Sequence, residues 1–293
     1  MFLAAEEFKK VEKKIKISCM RNQDALPYIV ENGCYNDMKA ENISWWTNGF
    51  WAGMLWQMYH ATQDKAYCLT AEKTEAFLDE ALGDFNGLHH DVGFMWLLSA
   101  VADFRLTQNE KSRTRGLHAA TLLAGRYNPD AKFIRAWNLD KTGWMIIDTM
   151  MNLPLLYWAA KETNDPRFEI IARHHADTAM RVLQRPDGSV NHIAVLNPTT
   201  GDVVEVPGGQ GYASGSSWSR GQSWAIYGFA LSAYHTGKTE YLDAAKRAAH
   251  YFIAQVSLTD FVPLVDFRAP KSPVLWDTSA STIAACGLLR LDF

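Results

Sequence analysis

Along most of this chain apolar residues recur at spacings of three and four, broken by short polar turns, which is the pattern of helices rather than strands. The spacing predicts helices over residues 47–62, 65–82, 90–106, 111–126, 145–161, 166–184, 219–235, 239–255 and 278–291, after an amphipathic one over 6–19. The turns repeat as well. Thr62-Gln63-Asp64-Lys65, Thr107-Gln108-Asn109-Glu110, Thr163-Asn164-Asp165-Pro166 and Thr236-Gly237-Lys238-Thr239 each join an apolar-rich helix to a more charged one. In each pair the first helix is apolar nearly all round, as a helix covered on both sides must be. The second carries its charges along one face, as in Asp243-Ala244-Ala245-Lys246-Arg247.

The predicted unit is therefore a helical hairpin with one inner and one outer helix. Hairpins laid side by side give an all-α (α/α)6 barrel, a single domain over residues 1–293, whose inner helices start at a common rim. About ten helices are legible where a closed ring of six hairpins has twelve, so the expectation is an incomplete ring, short at its C-terminal end. Two stretches break the pattern. Residues 188–206 alternate apolar and polar around Asn197-Pro198-Thr199-Thr200-Gly201-Asp202, the signature of a β-hairpin. Residues 207–217 are rich in Gly and Ser and read as a mobile loop over the site or as a plain connector.

The bulk numbers narrow the chemistry. With 293 residues, 48% of them hydrophobic, the chain can bury a large core. A net charge of −3 without basic stripe or acidic tail gives no footing for nucleic acid. No apolar run approaches the roughly 20 residues that span a bilayer, so no membrane partner is expected. Acids and lysines follow Met1-Phe2-Leu3-Ala4-Ala5 at once, unlike a secretory signal, and four scattered cysteines show neither disulfide density nor metal-ligand spacing. The expected location is the cytoplasm, with free thiols.

Polar residues at predicted inner-helix starts are the candidate chemistry: Asn48, Asp91, Asp148, Arg220 and Asp277. Asp91 and Asp148 read equally well as helix caps or as a catalytic pair. Asp148 has Trp144, Met145, Ile146 and Ile147 before it and Met150 and Met151 after it, and apolar surroundings favour the neutral, proton-donating form of a carboxyl. Arg220, between Trp218 and Trp224, is either a fork for a carboxylate or half of a structural ion pair. His89-His90-Asp91 offers metal-ligand types, but side chains adjacent on a helix diverge by about 100°, so no metal and no cofactor is expected. His90 and His192 read as hydrogen-bond donors to a polar ligand or as ordinary half-buried histidines. Trp46, Trp137, Trp144, Trp218 and Trp224 fall near helix starts, where an indole packs in the core or lies against the apolar face of a sugar ring.

These motifs form an ordered set. Trp46-Thr47-Asn48-Gly49-Phe50-Trp51, His90-Asp91-Val92-Gly93-Phe94, Ile147-Asp148-Thr149-Met150-Met151-Asn152, Gly209-Gln210-Gly211 and Trp218-Ser219-Arg220-Gly221-Gln222-Ser223-Trp224 together resemble the unsaturated glucuronyl hydrolases of glycoside hydrolase family 88. The resemblance implies an α/α six-hairpin barrel. It also implies removal of the 4,5-unsaturated uronic acid that polysaccharide lyases leave at the non-reducing end of glycosaminoglycan-type oligosaccharides, by hydration of the C4=C5 vinyl ether. By position, Asp148 matches the general acid and base, and Asp91 the second acid, which binds sugar hydroxyls. His192, Gln210 and Arg220 match residues around the substrate carboxylate and the attacking water; Trp46, His90, Trp137, Trp218 and Trp224 match the subsite walls. Alternatives left open are an unsaturated rhamnogalacturonyl hydrolase acting on pectin fragments, a non-catalytic sugar-binding remnant, and a sugar epimerase, which shares such barrels but calls for more rim histidines.

Overall fold

The computed structural model describes residues 2–291, which are mainly helical and fall into two compact units that meet in sequence between residues 121 and 122. No helix among the described residues is long and apolar enough to cross a membrane.

The first unit begins with helix Phe2–Arg21 and a two-stranded hairpin, Pro27–Glu31 with Cys34–Asp37. The strands meet at Asn32-Gly33, both with positive φ (51° and 80°), the two-residue turn whose twist matches that of paired strands. The pattern reading passed over this hairpin, although the Asn-Gly signal is present. Helices Asn48–Thr62 and Lys65–Leu78 follow and enclose a cluster of Cys19, Trp51, Leu55, Trp56 and Tyr67. The helix expected over 90–106 is two helices, Val92–Trp96 and Ala100–Thr107. Between them the Ser99 hydroxyl donates to the Met95 carbonyl at 2.6 Å, a back-bond that competes with the helical ladder.

The second unit holds helices Leu153–Thr163, Pro166–Val182, Ser219–Thr236, Thr239–Val256 and Thr278–Leu291. The contrast of inner and outer faces is present within it. Every residue from Leu153 to Ala160 is buried, whereas Thr239–Val256 buries one stripe, including Tyr241, Ala244, Ala248 and Phe252. The expected β-hairpin forms from Ile193–Leu196 and Val203–Glu205, and it gains a third antiparallel strand, Trp144–Ile146. That strand corrects the helix expected over 145–161: the apolar run from Trp144 is strand, then a 3₁₀ turn at Ile147–Met151, and helix only from Leu153.

The repeated turns share one mechanism. At Thr62-Gln63-Asp64 the Thr hydroxyl donates back to Met58 O, Gln63 stops the helix in the left-handed region (φ 59°), and Asp64 caps the next helix by accepting from Ala66 N–H. At Thr107-Gln108-Asn109, φ is 64° at Gln108 and Asn109 accepts from Lys111 N–H. At Thr163-Asn164-Asp165, φ is 53° at Asn164 and Asp165 accepts from Arg167 N–H. Gly237 supplies the left-handed residue of the fourth turn, with no side-chain cap beyond it.

Candidate active site

In the second unit the site is built outward from strand pairing. Ile146 lies opposite Ile193, and the Ile147 N–H donates to the His192 carbonyl at 3.0 Å, which sets His192 beside the 3₁₀ turn that carries Asp148. Asp148 lies inside that turn and not at a cap position, and its Oδ2 is buried with no hydrogen-bond partner. His192 Nε2 stands 3.5 Å from that oxygen. Asp277 shows what a capping carboxylate looks like here: its Oδ1 accepts from the N–H groups of Ser279 and Ala280 at the start of helix Thr278–Leu291. Of the two readings open to Asp148 from sequence, capping does not hold.

His192 is fixed on its other side. The Gln210 N–H donates to Nδ1 at 2.9 Å, and the Trp218 ring lies 4.4 Å from the imidazole, centroid to centroid. Arg220 stacks its guanidinium 4.7 Å from the Trp218 ring and donates to Gln210 Oε1 at 2.9 Å and to Ser279 Oγ at 3.3 Å. Asp277 Oδ2 stands 3.5 Å from Arg220 Nη1. The structural ion pair and the fork are therefore both present: Asp277, Ser279 and Gln210 orient a guanidinium that remains partly exposed, at 29% of its side-chain surface. Asp148, His192, Gln210, Trp218 and Arg220 thus form one continuous constellation.

The remaining tryptophans of this unit sit differently. Trp137 is half-buried against Ala136, Ile146 and Ile193, under the strand that leads to Asp148. Trp224 is buried, one turn beyond Arg220. The loop over 207–217 is held along its base. Asp266 accepts from the N–H groups of Tyr212 and Ser217, while Arg185 donates to the carbonyls of Gly215 and Ser216. Neither Asp266 nor Arg185 carries a signal in the sequence, because both act on chain about 30 to 50 residues away.

In the first unit Asp91 precedes helix Val92–Trp96 without making a side-chain cap. Its Oδ2 lies 3.4 Å from His89 Nδ1 and 3.6 Å from His90 Nε2. The expectation that these three side chains diverge rested on a helix starting at residue 90. Helix begins only at Val92, and one ligand atom from each residue falls within 4.8 Å of the others. The set has donor types that suit a metal ion, and the Asp91 N–H donates to His89 Nδ1 at 3.4 Å. His90 is buried. Trp46, half-exposed, packs against Phe50 and Phe94 with centroids 5.7 and 5.3 Å away, so an aromatic wall adjoins the helix that Asp91 opens.

The model of Glycosyl Hydrolase Family 88 matches residues 20–259, and the chain belongs to that family. It is 42% identical over 274 residues to an unsaturated glucuronyl hydrolase of Bacillus sp. (strain GL1), covering 92% of this chain and 72% of that protein. It is 36% identical over 252 residues to an unsaturated chondroitin disaccharide hydrolase of Streptococcus pyogenes serotype M1, covering 83% of this chain and 62% of that one. The chain thus spans between about three fifths and three quarters of these relatives' length. The crystal structure of the Bacillus sp. GL1 unsaturated glucuronyl hydrolase, responsible for the degradation of glycosaminoglycan, is similar with a TM-score of 0.86 at 40% identity, over 92% of this chain and 72% of that one. A Streptococcus agalactiae unsaturated glucuronyl hydrolase mutant complexed with dGlcA-GalNAc6S is similar with a TM-score of 0.82 at 29% identity, over 98% and 71%. The fold class is the helical-hairpin (α/α)6 class of these enzymes.

Proposed function

We propose that this chain removes the 4,5-unsaturated uronic acid from the non-reducing end of lyase-generated, glycosaminoglycan-type oligosaccharides by hydrating the C4=C5 vinyl ether. The observation that carries the reading is Asp148: a carboxylate outside any cap, with one oxygen buried and without a hydrogen-bond partner, facing an imidazole nitrogen at 3.5 Å. An acid kept in that condition is available to give and take a proton.

Asp148 in its acid form delivers its proton to C4, and positive charge develops at C5 and the ring oxygen. The carboxylate then takes a proton from water as the water oxygen bonds to C5. The resulting hemiketal opens, and the aglycone leaves from C1. Neither water nor a carboxylate attacks the anomeric carbon, so the carboxylate-spacing rule for retaining and inverting glycosidases does not govern the site. Arg220 is the partner for the uronate carboxylate, Gln210 and His192 orient water and acid, and Trp218 offers an apolar face to the ring. Trp137 and Trp224 are further walls in the second unit; in the first unit, the family match carries sugar-contacting roles over to Asp91, His90 and Trp46. Four unpaired cysteines support a reducing, cytoplasmic location.

Unsaturated disaccharides from chondroitin and from rhamnogalacturonan, offered separately, test the substrate class. Release of the reducing sugar from the chondroitin series supports the proposal. Turnover confined to the rhamnogalacturonan product assigns the chain to pectin fragments instead, and no turnover of either leaves a sugar-binding protein.

A further inference from the structure

Asp266 lies in the segment between helices Thr239–Val256 and Thr278–Leu291. It is a buried carboxylate, 3% exposed, and it is occupied entirely by backbone. Its Oδ2 accepts from Tyr212 N–H at 3.0 Å; its Oδ1 accepts from Ser217 N–H at 3.0 Å and from Arg268 N–H at 2.8 Å. Two of these donors lie in the glycine loop, Tyr212 at its middle and Ser217 at its end. The loop is laid directly on the carboxylate, since a Cβ added to Gly211 would sit 2.9 Å from Oδ2. Backbone pairing extends the clamp: Phe267 N–H donates to Ser217 O, and Ser219 N–H donates to Val265 O.

The chain on either side of the clamped stretch bears on His192. From one side the Gln210 N–H reaches Nδ1; from the other the Trp218 ring covers the imidazole. The approach at Nδ1 is so close that residue 209 has no room for a side chain. A Cβ at Gly209 would lie 2.0 Å from Nδ1, and its φ of 61° is one that residues other than glycine rarely adopt. A backbone amide can only donate, so the nitrogen that receives it carries no proton, and the ring proton of the neutral imidazole must be on Nε2. That is the nitrogen facing Asp148.

We propose that Asp266 is a positioning residue of the Asp148 site: by pinning the loop of residues 208–217 it sets the Gln210 amide against His192 and so holds the imidazole as the Nε2–H tautomer aimed at Asp148. The catalytic consequence rests on the hydrolase reading above. The tautomer itself does not.

The experiment is ¹⁵N spectroscopy of the histidine ring nitrogens in the full chain at neutral pH, with the His192 signals identified by their loss in His192→Gln. The native protein shows His192 unprotonated at Nδ1 and protonated at Nε2. In Asp266→Asn, an amide nitrogen replaces one acceptor oxygen, the single tautomer gives way to a mixture, and kcat for an unsaturated disaccharide falls about 10²-fold, the scale of a misplacement near 1 Å. KM rises by less. Gly209→Ala leaves Asp266 intact, drives a methyl between the Gln210 amide and the imidazole, and gives the same mixture. If Asp266→Asn does not fold, the native spectrum and Gly209→Ala decide the matter. A native His192 with its proton on Nδ1 overturns the proposal, as do two folded variants with the native tautomer and native kcat. A chain with the predicted spectra that turns over no unsaturated uronide overturns the assigned reaction and leaves the clamp supported.

Discussion

His192 Nε2 stands 3.5 Å from Asp148 Oδ2, while the opposite ring nitrogen is taken by a backbone amide. The proton of a neutral imidazole therefore lies on the nitrogen that faces Asp148. Removing the donor in His192→Ala lowers kcat by about 10²-fold, at the lower end of what a positioned acid–base group contributes. His192→Gln, whose amide places an N–H in a comparable position, recovers part of that loss. Steady-state rates on an unsaturated disaccharide check the order native, Gln, Ala. Equal rates for the two variants count against a donor role.

Arg220 contributes a planar fork already oriented by Gln210, Ser279 and Asp277. Lysine keeps the charge but loses the fork and the stacking on Trp218. Arg220→Lys raises KM with a smaller effect on kcat. Loss of one charge-assisted hydrogen bond, about 1.5–3 kcal/mol, corresponds to a rise of roughly 10- to 160-fold. An unchanged KM removes Arg220 from substrate binding and leaves it a structural partner of Asp277.

Away from these residues, Glu75 makes the stability of the first unit depend on pH. Its Oε1 accepts from Trp56 Nε1–H, and its Oε2 lies 2.6 Å from Ser112 Oγ, which is equally 2.6 Å from Asp103 Oδ2. A hydroxyl has one proton to give, so a carboxyl at one end of this chain must itself be protonated. Burial first, then the charge of Asp103, pushes Glu75 up to about 8, against the opposing pull of Ser112, Trp56 and Arg115. The folded state thus holds this proton more tightly than the unfolded chain. The stabilisation is full below the ordinary value of 4.5 and is lost as pH rises through about 8, amounting to on the order of a few kcal/mol at most. Thermal melts from pH 5 to 9 show Tm falling with pH in the native chain, and a flatter profile in Glu75→Gln. The same slope in both places the titrating group elsewhere.

The hairpin repeat was legible because its turns are local: a back-bonding Thr, a left-handed residue and, in three of the four, a capping Asp or Asn lie within four positions. Most of what escaped depends on distant partners. Trp144–Ile146 reads as helix by period alone and becomes strand only because Ile193–Leu196 pairs with it. The break at Ser99 and the convergence of His89, His90 and Asp91 turn on where a helix begins, the least certain part of any pattern. Asp148 and Asp277 look alike in sequence, each opening an apolar run. Only the backbone shows that Asp277 caps its helix while Asp148 does not. Asp266 and Arg185 are invisible to spacing, since their partners are backbone groups of a loop reached through the fold.

The most direct measurement is single-turnover loss of the absorbance of the conjugated C4=C5 bond in an unsaturated chondroitin disaccharide, followed with the native chain and with Asp148→Asn. The account predicts that the native chain bleaches the substrate. The variant, matched in shape but unable to donate as an acid, binds the disaccharide yet bleaches it about 10² to 10⁴ times more slowly. Bleaching by Asp148→Asn at the native rate would contradict the assignment of Asp148 as the group that protonates C4.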